Sequence, residues 1–152
     1  MRRVVDGDWK PTVPALVNLV AASGVPRLRA AFAEAGLDGI RPAQAVALVP
    51  LAAGGLHASD LADRLNVSRQ AVAQAIAGLE RHGYVTRVAD PVDARARIIE
   101  LTPRGRQALR VTRSNALALE KRWERLLGPE RLGELRDSLQ TLLSGEADAA
   151  RG

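Results

Sequence analysis

The chain contains no cysteine, and that one absence removes disulfides, thiolate metal ligation and thiol-based redox sensing together. It has two histidines, His57 and His82, too few for a structural zinc site without thiolates and a thin supply of general bases. There are no paired carboxylates in a glycine-flanked loop, no nucleophile elbow and no phosphate-cradling GxxxxGK. The sequence therefore reads as a non-enzyme with no metal and no cofactor. Aromatic residues make up 3% of 152 positions, so a core has to be assembled from Leu, Val and Ala, a composition that favours helices. No apolar run approaches the roughly twenty residues of a membrane span, and the first residues lack the basic, apolar and small-residue order of a signal peptide. A cytoplasmic location with no membrane partner is the expectation.

What the chain does have is hydrophobic content of 47%, which argues against disorder, and a net charge of +5. That charge is compatible with a polyanionic partner without identifying one, because Asp60, Asp63, Glu80, Asp90, Asp93 and Glu100 are interleaved with the arginines. Pattern is more informative. From Ser68 the apolar residues Val72, Ala75, Ile76 and Leu79 recur at three and four positions, which predicts a helix capped by Ser68 and ended at Gly83. Its other face opens with Arg69 and Gln70, followed by Ala73 and Gln74; arginine and glutamine carry the forks that pair with guanine and adenine edges in a DNA major groove. The period then changes to two over Tyr84 to Val88 and again over Arg97 to Leu101, which predicts a β-hairpin. Ala89 to Ala96, with Asp90, Pro91, Asp93 and Arg95, is turn chemistry joining the strands.

Just upstream, Ser59 to Leu65 carries Leu61, Ala62 and Leu65 at helical spacing, and Asn66 and Val67 leave room only for a tight turn into Ser68. Two short helices so joined are a helix-turn-helix, and the hairpin makes it winged. The stretch GGLHASDLADRLNVSRQAVAQAIAGLERHGYVTRVADPVDARARIIELTPRGRQAL resembles the DNA-binding core of the MarR family of bacterial transcriptional regulators. Asp90-Pro91, Asp93, Arg95, an apolar strand, Leu101-Thr102 and Arg104-Gly105 stand in the family's order. The departures are Ala94, where a further arginine is common, and His57, where a helix-capping threonine would stand.

The resemblance implies a sequence-specific, ligand-responsive repressor that binds a palindromic operator in double-stranded DNA as a homodimer. Ser68, Arg69, Gln70, Ala73 and Gln74 on the helix, with Asp93, Arg95 and Arg97 on the wing, are the expected DNA-contacting set, Asp93 pairing with Arg95 to hold the tip. It also implies a cleft for a small aromatic or lipophilic effector, for which Trp9, Phe32 and Trp123 are the available aromatics. The alternative function is a winged-helix module that binds protein without specific DNA recognition. Such a module has no need of Arg69, Gln70, Gln74, Arg95 and Arg97 on one surface.

The flanks read as helices. After an irregular arm over Met1 to Pro11, Leu16, Leu19 and Val20 form an apolar stripe that Gly24-Val25-Pro26 interrupts and Leu28, Ala31, Phe32 and Ala35 resume. This predicts two helices or one with a kink. A further helix from Ala43 to about Ala53 contains Pro50 and is expected to be shortened or bent. Beyond Thr102, Leu109, Thr112, Ala116, Leu119, Trp123 and Leu126 form one long seam; after Gly128-Pro129, Leu132, Leu135, Leu139 and Leu142 form another, before a polar tail from Ser144. The fold class expected is mainly α with a small β-hairpin wing. Residues 1–40 form an N-terminal arm and helical dimerisation segment, 41–102 the winged helix-turn-helix, and 103–152 the C-terminal helices and tail. Leu16, Leu19, Leu109, Leu119, Trp123, Leu132, Leu135, Leu139 and Leu142 are the expected dimerisation residues.

Overall fold

A computed structural model describes residues 10–150, so the arm up to Trp9 lies outside the described residues. Thr12 begins α1 (Val13–Ser23), its hydroxyl accepting the amide of Ala15. The interruption resolves into two helices: α2 (Val25–Glu34) starts directly after Gly24, with Pro26 in the first turn, where a missing amide costs nothing. Gly24 keeps right-handed helical dihedrals, so the chain changes course without a loop.

The next segment departs from the expected helix. Only Pro42–Ala45 is an α-helix (α3); Val46–Leu48 and Pro50–Ala53 are 3₁₀ turns. Pro50 is the cause, since it has no amide to offer the carbonyl four residues back and its ring crowds that carbonyl. The tighter turns still bury Ala47, Leu48 and Leu51.

The helix-turn-helix follows as α4 (Ala58–Leu65) and α5 (Arg69–Arg81). Asn66 takes the left-handed conformation that ends α4, and the amides of Asn66 and Val67 return to the carbonyls of Asp63 and Ala62. Strands β1 (Val85–Ala89) and β2 (Arg97–Leu101) pair antiparallel, Val85 opposite Leu101 and Ala89 opposite Arg97. Leu56 adds a one-residue third strand, exchanging both backbone hydrogen bonds with Ile99. Tyr84 precedes β1 and is wholly buried. One core draws on the elements from α2 onward: Phe32, Leu48, Leu61, Ile76, Leu79 and Ile99 are each 2% exposed or less.

Two helices complete the chain: α6 (Pro103–Leu127), capped by the Thr102 hydroxyl on the amide of Gly105, and α7 (Pro129–Ala149). The expected polar tail from Ser144 is helical through Ala149, because Glu146, Ala147 and Ala149 are good helix formers and the amide of Ala150 still reaches the Glu146 carbonyl. The chain divides into two compact units, one ending at Thr112 and one starting at Arg113. In the second, Leu132 is buried, and an apolar groove runs along Trp123, Leu135, Leu139 and Leu143. No helix among the described residues is long and apolar enough to cross a membrane.

Candidate nucleic-acid interface

Helix α5 is fixed by its inner face, where Val72, Ile76 and Leu79 are at most 2% exposed. Its first turn is fixed by Ser68, whose Oγ accepts the amide of Ala71 at 3.1 Å. The Ser68 oxygen is thus occupied in capping. Arg69, Gln70, Ala73 and Gln74 are all exposed, and Arg69 is in no ion pair among the described residues. The helix therefore presents one cationic fork, two amide forks and a methyl group. Those are the chemistries that read guanine, adenine and thymine edges.

The wing is organised by two aspartates acting on the backbone. Asp90 Oδ1 accepts the amide of Val92 at 2.8 Å, and Asp93 Oδ1 accepts the amide of Arg95 at 3.0 Å. Asp93 thus holds Arg95 by its main chain, not in the side-chain ion pair that the sequence suggests, because the short aspartate closes a local turn more readily than it reaches a guanidinium. The Arg95 side chain is left exposed and free of ion pairs among the described residues; Arg97, also exposed, sends only a 3.4 Å contact to the Ala94 carbonyl. The Asp90 carboxyl is held below the usual carboxylate range, chiefly by the Val92 amide and further by that of Asp93 and by His57.

The sequence pattern did not reveal what locks the far end of α5. Tyr84 donates its hydroxyl to the Asp38 carbonyl at 2.5 Å, while Arg104 Nη2 lies 2.5 Å from Asp38 Oδ1 and its guanidinium sits 4.7 Å over the Tyr84 ring. The hydrogen bond from Arg104 holds the Asp38 carboxyl below its ordinary range and raises Arg104; burial raises the Tyr84 hydroxyl. Thr102 donates to the Gly83 carbonyl at 2.5 Å as well as capping α6. Close packing also excludes a side chain at glycines around this end of α5. A Cβ on Gly105 would collide with the Tyr84 carbonyl, and one on Gly39, already at positive φ, would enter the ring of His82 at the end of α5. The available signal was the lone tyrosine beside a glycine at the helix end, which periodicity alone reads only as the first residue of a strand.

The expected dimerisation residues divide by exposure. Leu16 and Leu19 lie on α1, a helix with no buried residue at all, where Val13, Val17 and Val20 are exposed as well. Leu135 and Leu142 are exposed, and Leu119, Trp123 and Leu139 half-buried. Leu109 packs against the main core, and Leu132 is 7% exposed, so both are already committed within the chain.

Residues 38–96 match the model of the MarR family. The transcriptional activatory protein BadR of Rhodopseudomonas palustris is 40% identical over 62 residues, 41% of this chain and 35% of BadR, so the match spans about a third of that relative. A probable transcriptional regulator from Pseudomonas aeruginosa superposes with a TM-score of 0.63 at 25% identity, covering 83% of this chain and 96% of that one. MepR of S. aureus, solved in complex with DNA, superposes with a TM-score of 0.74 at 22% identity over 90% of this chain and 99% of MepR, a likeness of fold.

Proposed function

We propose that the chain, whose residues 38–96 match the model of the MarR family, is a sequence-specific transcriptional regulator that binds double-stranded DNA. The observation that carries this reading is the exposed, unpaired Arg69, Gln70 and Gln74 on a helix whose opposite face is wholly anchored. In this reading those residues meet base edges, and Arg95 and Arg97 of the wing meet phosphates or the minor groove. A protein-binding module would not need three base-pairing forks on one helical face. The test is selection of bound sequences from random duplex DNA, and recovery of no preferred sequence would refute it.

The working form in this proposal is a homodimer. An eleven-residue helix with Leu16, Val17, Leu19 and Val20 all exposed has its apolar side facing water in the single chain, and a second copy is the partner that closes it by symmetry. For two recognition helices to enter successive major grooves on one face they must stand about 34 Å apart, one turn of B-DNA, so the selected operator should be an inverted repeat with half-sites about 10 base pairs apart. Sedimentation equilibrium at micromolar concentration should give twice the chain mass, and Leu142→Asp should lower it. A monomeric mass for the wild type refutes the dimer.

The regulatory reading is repression relieved by a small organic acid. An open hollow of about 420 Å³ lies beside Phe32, Leu37, Asp38 and Ile40, with Arg29 on its lining to meet a carboxylate. Phe32 itself is 2% exposed and contributes mainly to the core. An operator overlapping the promoter would accord with repression, and one upstream of it would favour activation.

A further inference from the structure

We propose that His57 is a positioning residue for the wing, holding Asp90 through Nε2 and tightening that hold when its imidazole is protonated. The proposal draws on the DNA-binding reading only for its consequence at an operator; the clamp belongs to the free protein.

His57 is the N-cap residue of α4, with extended dihedrals, yet its side chain caps nothing. Nε2 reaches across to Asp90 Oδ2 at 2.9 Å. Asp90 uses both oxygens: Oδ1 closes the turn at Val92, and Oδ2 meets the histidine. One carboxylate therefore shapes the wing and ties it to the helix-turn-helix. Two other ties join the hairpin to the helix-turn-helix side among the described residues: the backbone exchange between Leu56 and Ile99, at 3.1 and 2.8 Å, and the ion pair from Arg87 Nε to Glu80 Oε2 on α5, at 2.9 Å. Both of those ties lie on the strands; the loop from Asp90 to Ala96 is otherwise held by bonds within itself, the Arg95 amide to Asp93 and the Asp90 amide to the Ala96 carbonyl, with Val92 95% exposed, so His57 is what fixes it to the start of α4.

The charges around His57 give the link its sign. Asp90 stays ionised through neutral pH, because its carboxyl lies below the usual range. Asp60 stands in the first turn of α4, and the Cγ of Glu100 lies 2.9 Å from where a Cβ on Gly55 would stand, two residues before His57. Neither is in an ion pair with His57, nor is any arginine among the described residues. Against them works the positive end of α4, which disfavours an imidazolium at its N-terminus. A neutral imidazole protonated on Nε2 donates one hydrogen bond to Asp90; protonating the other nitrogen leaves that bond in place and adds a full charge. The wing is therefore held more firmly wherever the His57 imidazole carries its second proton.

The test needs only the full chain. In NMR titrations from pH 8 to 5.5, the backbone amides of Val92 and Arg95 should shift along the same curve as the His57 ring, which is readily assigned in a chain with two histidines. In His57→Gln, which keeps a donor but cannot gain charge, those amides should stay flat. Asp90→Asn, whose carbonyl can still close the turn at Val92, should uncouple them as well. On a selected operator, wild-type affinity per half-site should rise about two- to fivefold over that range relative to His57→Gln, the scale of a partly exposed ion pair. Amides that ignore the His57 titration, or equal pH slopes for wild type and His57→Gln, would overturn the proposal. Failure to bind any duplex would strike the DNA-binding reading alone, since the amide titration involves no DNA.

Discussion

Arg69→Ala separates recognition from folding. Arg69 is the first residue of α5, exposed, and in no ion pair among the described residues, so its removal breaks no internal contact. Alanine is also the better helix former by a few tenths of a kcal/mol. The melting temperature should therefore hold or rise slightly. At the operator a bidentate arginine–guanine contact contributes about 1 to 3 kcal/mol, or roughly 5- to 150-fold. A dimer loses it twice, so whole-operator affinity should fall by about 2 to 6 kcal/mol, on the order of 30- to 10⁴-fold. Fluorescence anisotropy on the selected duplex, and on duplexes changed one base pair at a time, measures both affinity and preference. The variant should become indifferent to one base pair in each half-site and remain selective elsewhere. A folded Arg69→Ala protein with undiminished affinity and unchanged preference would refute the assignment of this face.

Arg95→Ala should weaken binding to all sequences alike and reduce the slope of log affinity against log salt by about one unit per subunit, through lost counterion release; parallel lines of equal affinity would deny the wing a phosphate contact. Gly105→Ala should destabilise by about 1 to 3 kcal/mol, because the added methyl is driven into the Tyr84 carbonyl and the Leu101 side chain, and thermal or urea unfolding will show it. The Asp38 carboxyl is depressed chiefly by its hydrogen bond from Arg104, so its contribution to stability is present above the ordinary carboxylate value near pH 4 and is lost as pH falls through the lower folded value. Asp38→Asn should accordingly reduce the acid-induced loss of melting temperature below about pH 4, and a wild-type slope in that variant would disprove the linkage.

Much of this was readable from residue order because local preference and global fold agree along the central segment. Ser68 can cap, Val72, Ile76 and Leu79 recur at helical spacing, Gly83 can turn left-handed, and the pattern then alternates through β2, whose bounds match the expected Arg97 to Leu101. Where the expectation was looser, proline chemistry was the reason. Pro26 and Pro50 announce an interruption without fixing its form, and the forms differ: a clean restart as α2, and a collapse into 3₁₀ turns at Pro50–Ala53. What periodicity could not supply was contact between residues far apart in sequence. Asp38 and Arg104 are separated by 66 positions, and nothing in the spacing of His57 and Asp90 marks them as partners. Such pairs exist only once the chain has folded.

Within the proposed reading, the same contacts separate residues that hold the interface's geometry from residues whose side chains are exposed for a partner. The Ser68 oxygen is taken by the amide of Ala71 and Asp93 Oδ1 by the amide of Arg95. Ser68 keeps its hydroxyl proton for a phosphate or base acceptor while it caps, whereas a carboxylate beside phosphates is repelled. Both hold geometry, Ser68 by starting α5 one residue before Arg69 and Asp93 by setting the backbone from which the Arg95 side chain leaves; Ser68 also remains a candidate contact in the proposed reading. The side chains exposed for contact are Arg69, Gln70, Ala73 and Gln74 on the helix and Arg95 and Arg97 on the wing. The forks lie on the rigid element, where base readout needs fixed angles. The long cations lie on the exposed hairpin, where attraction to phosphate tolerates looser placement.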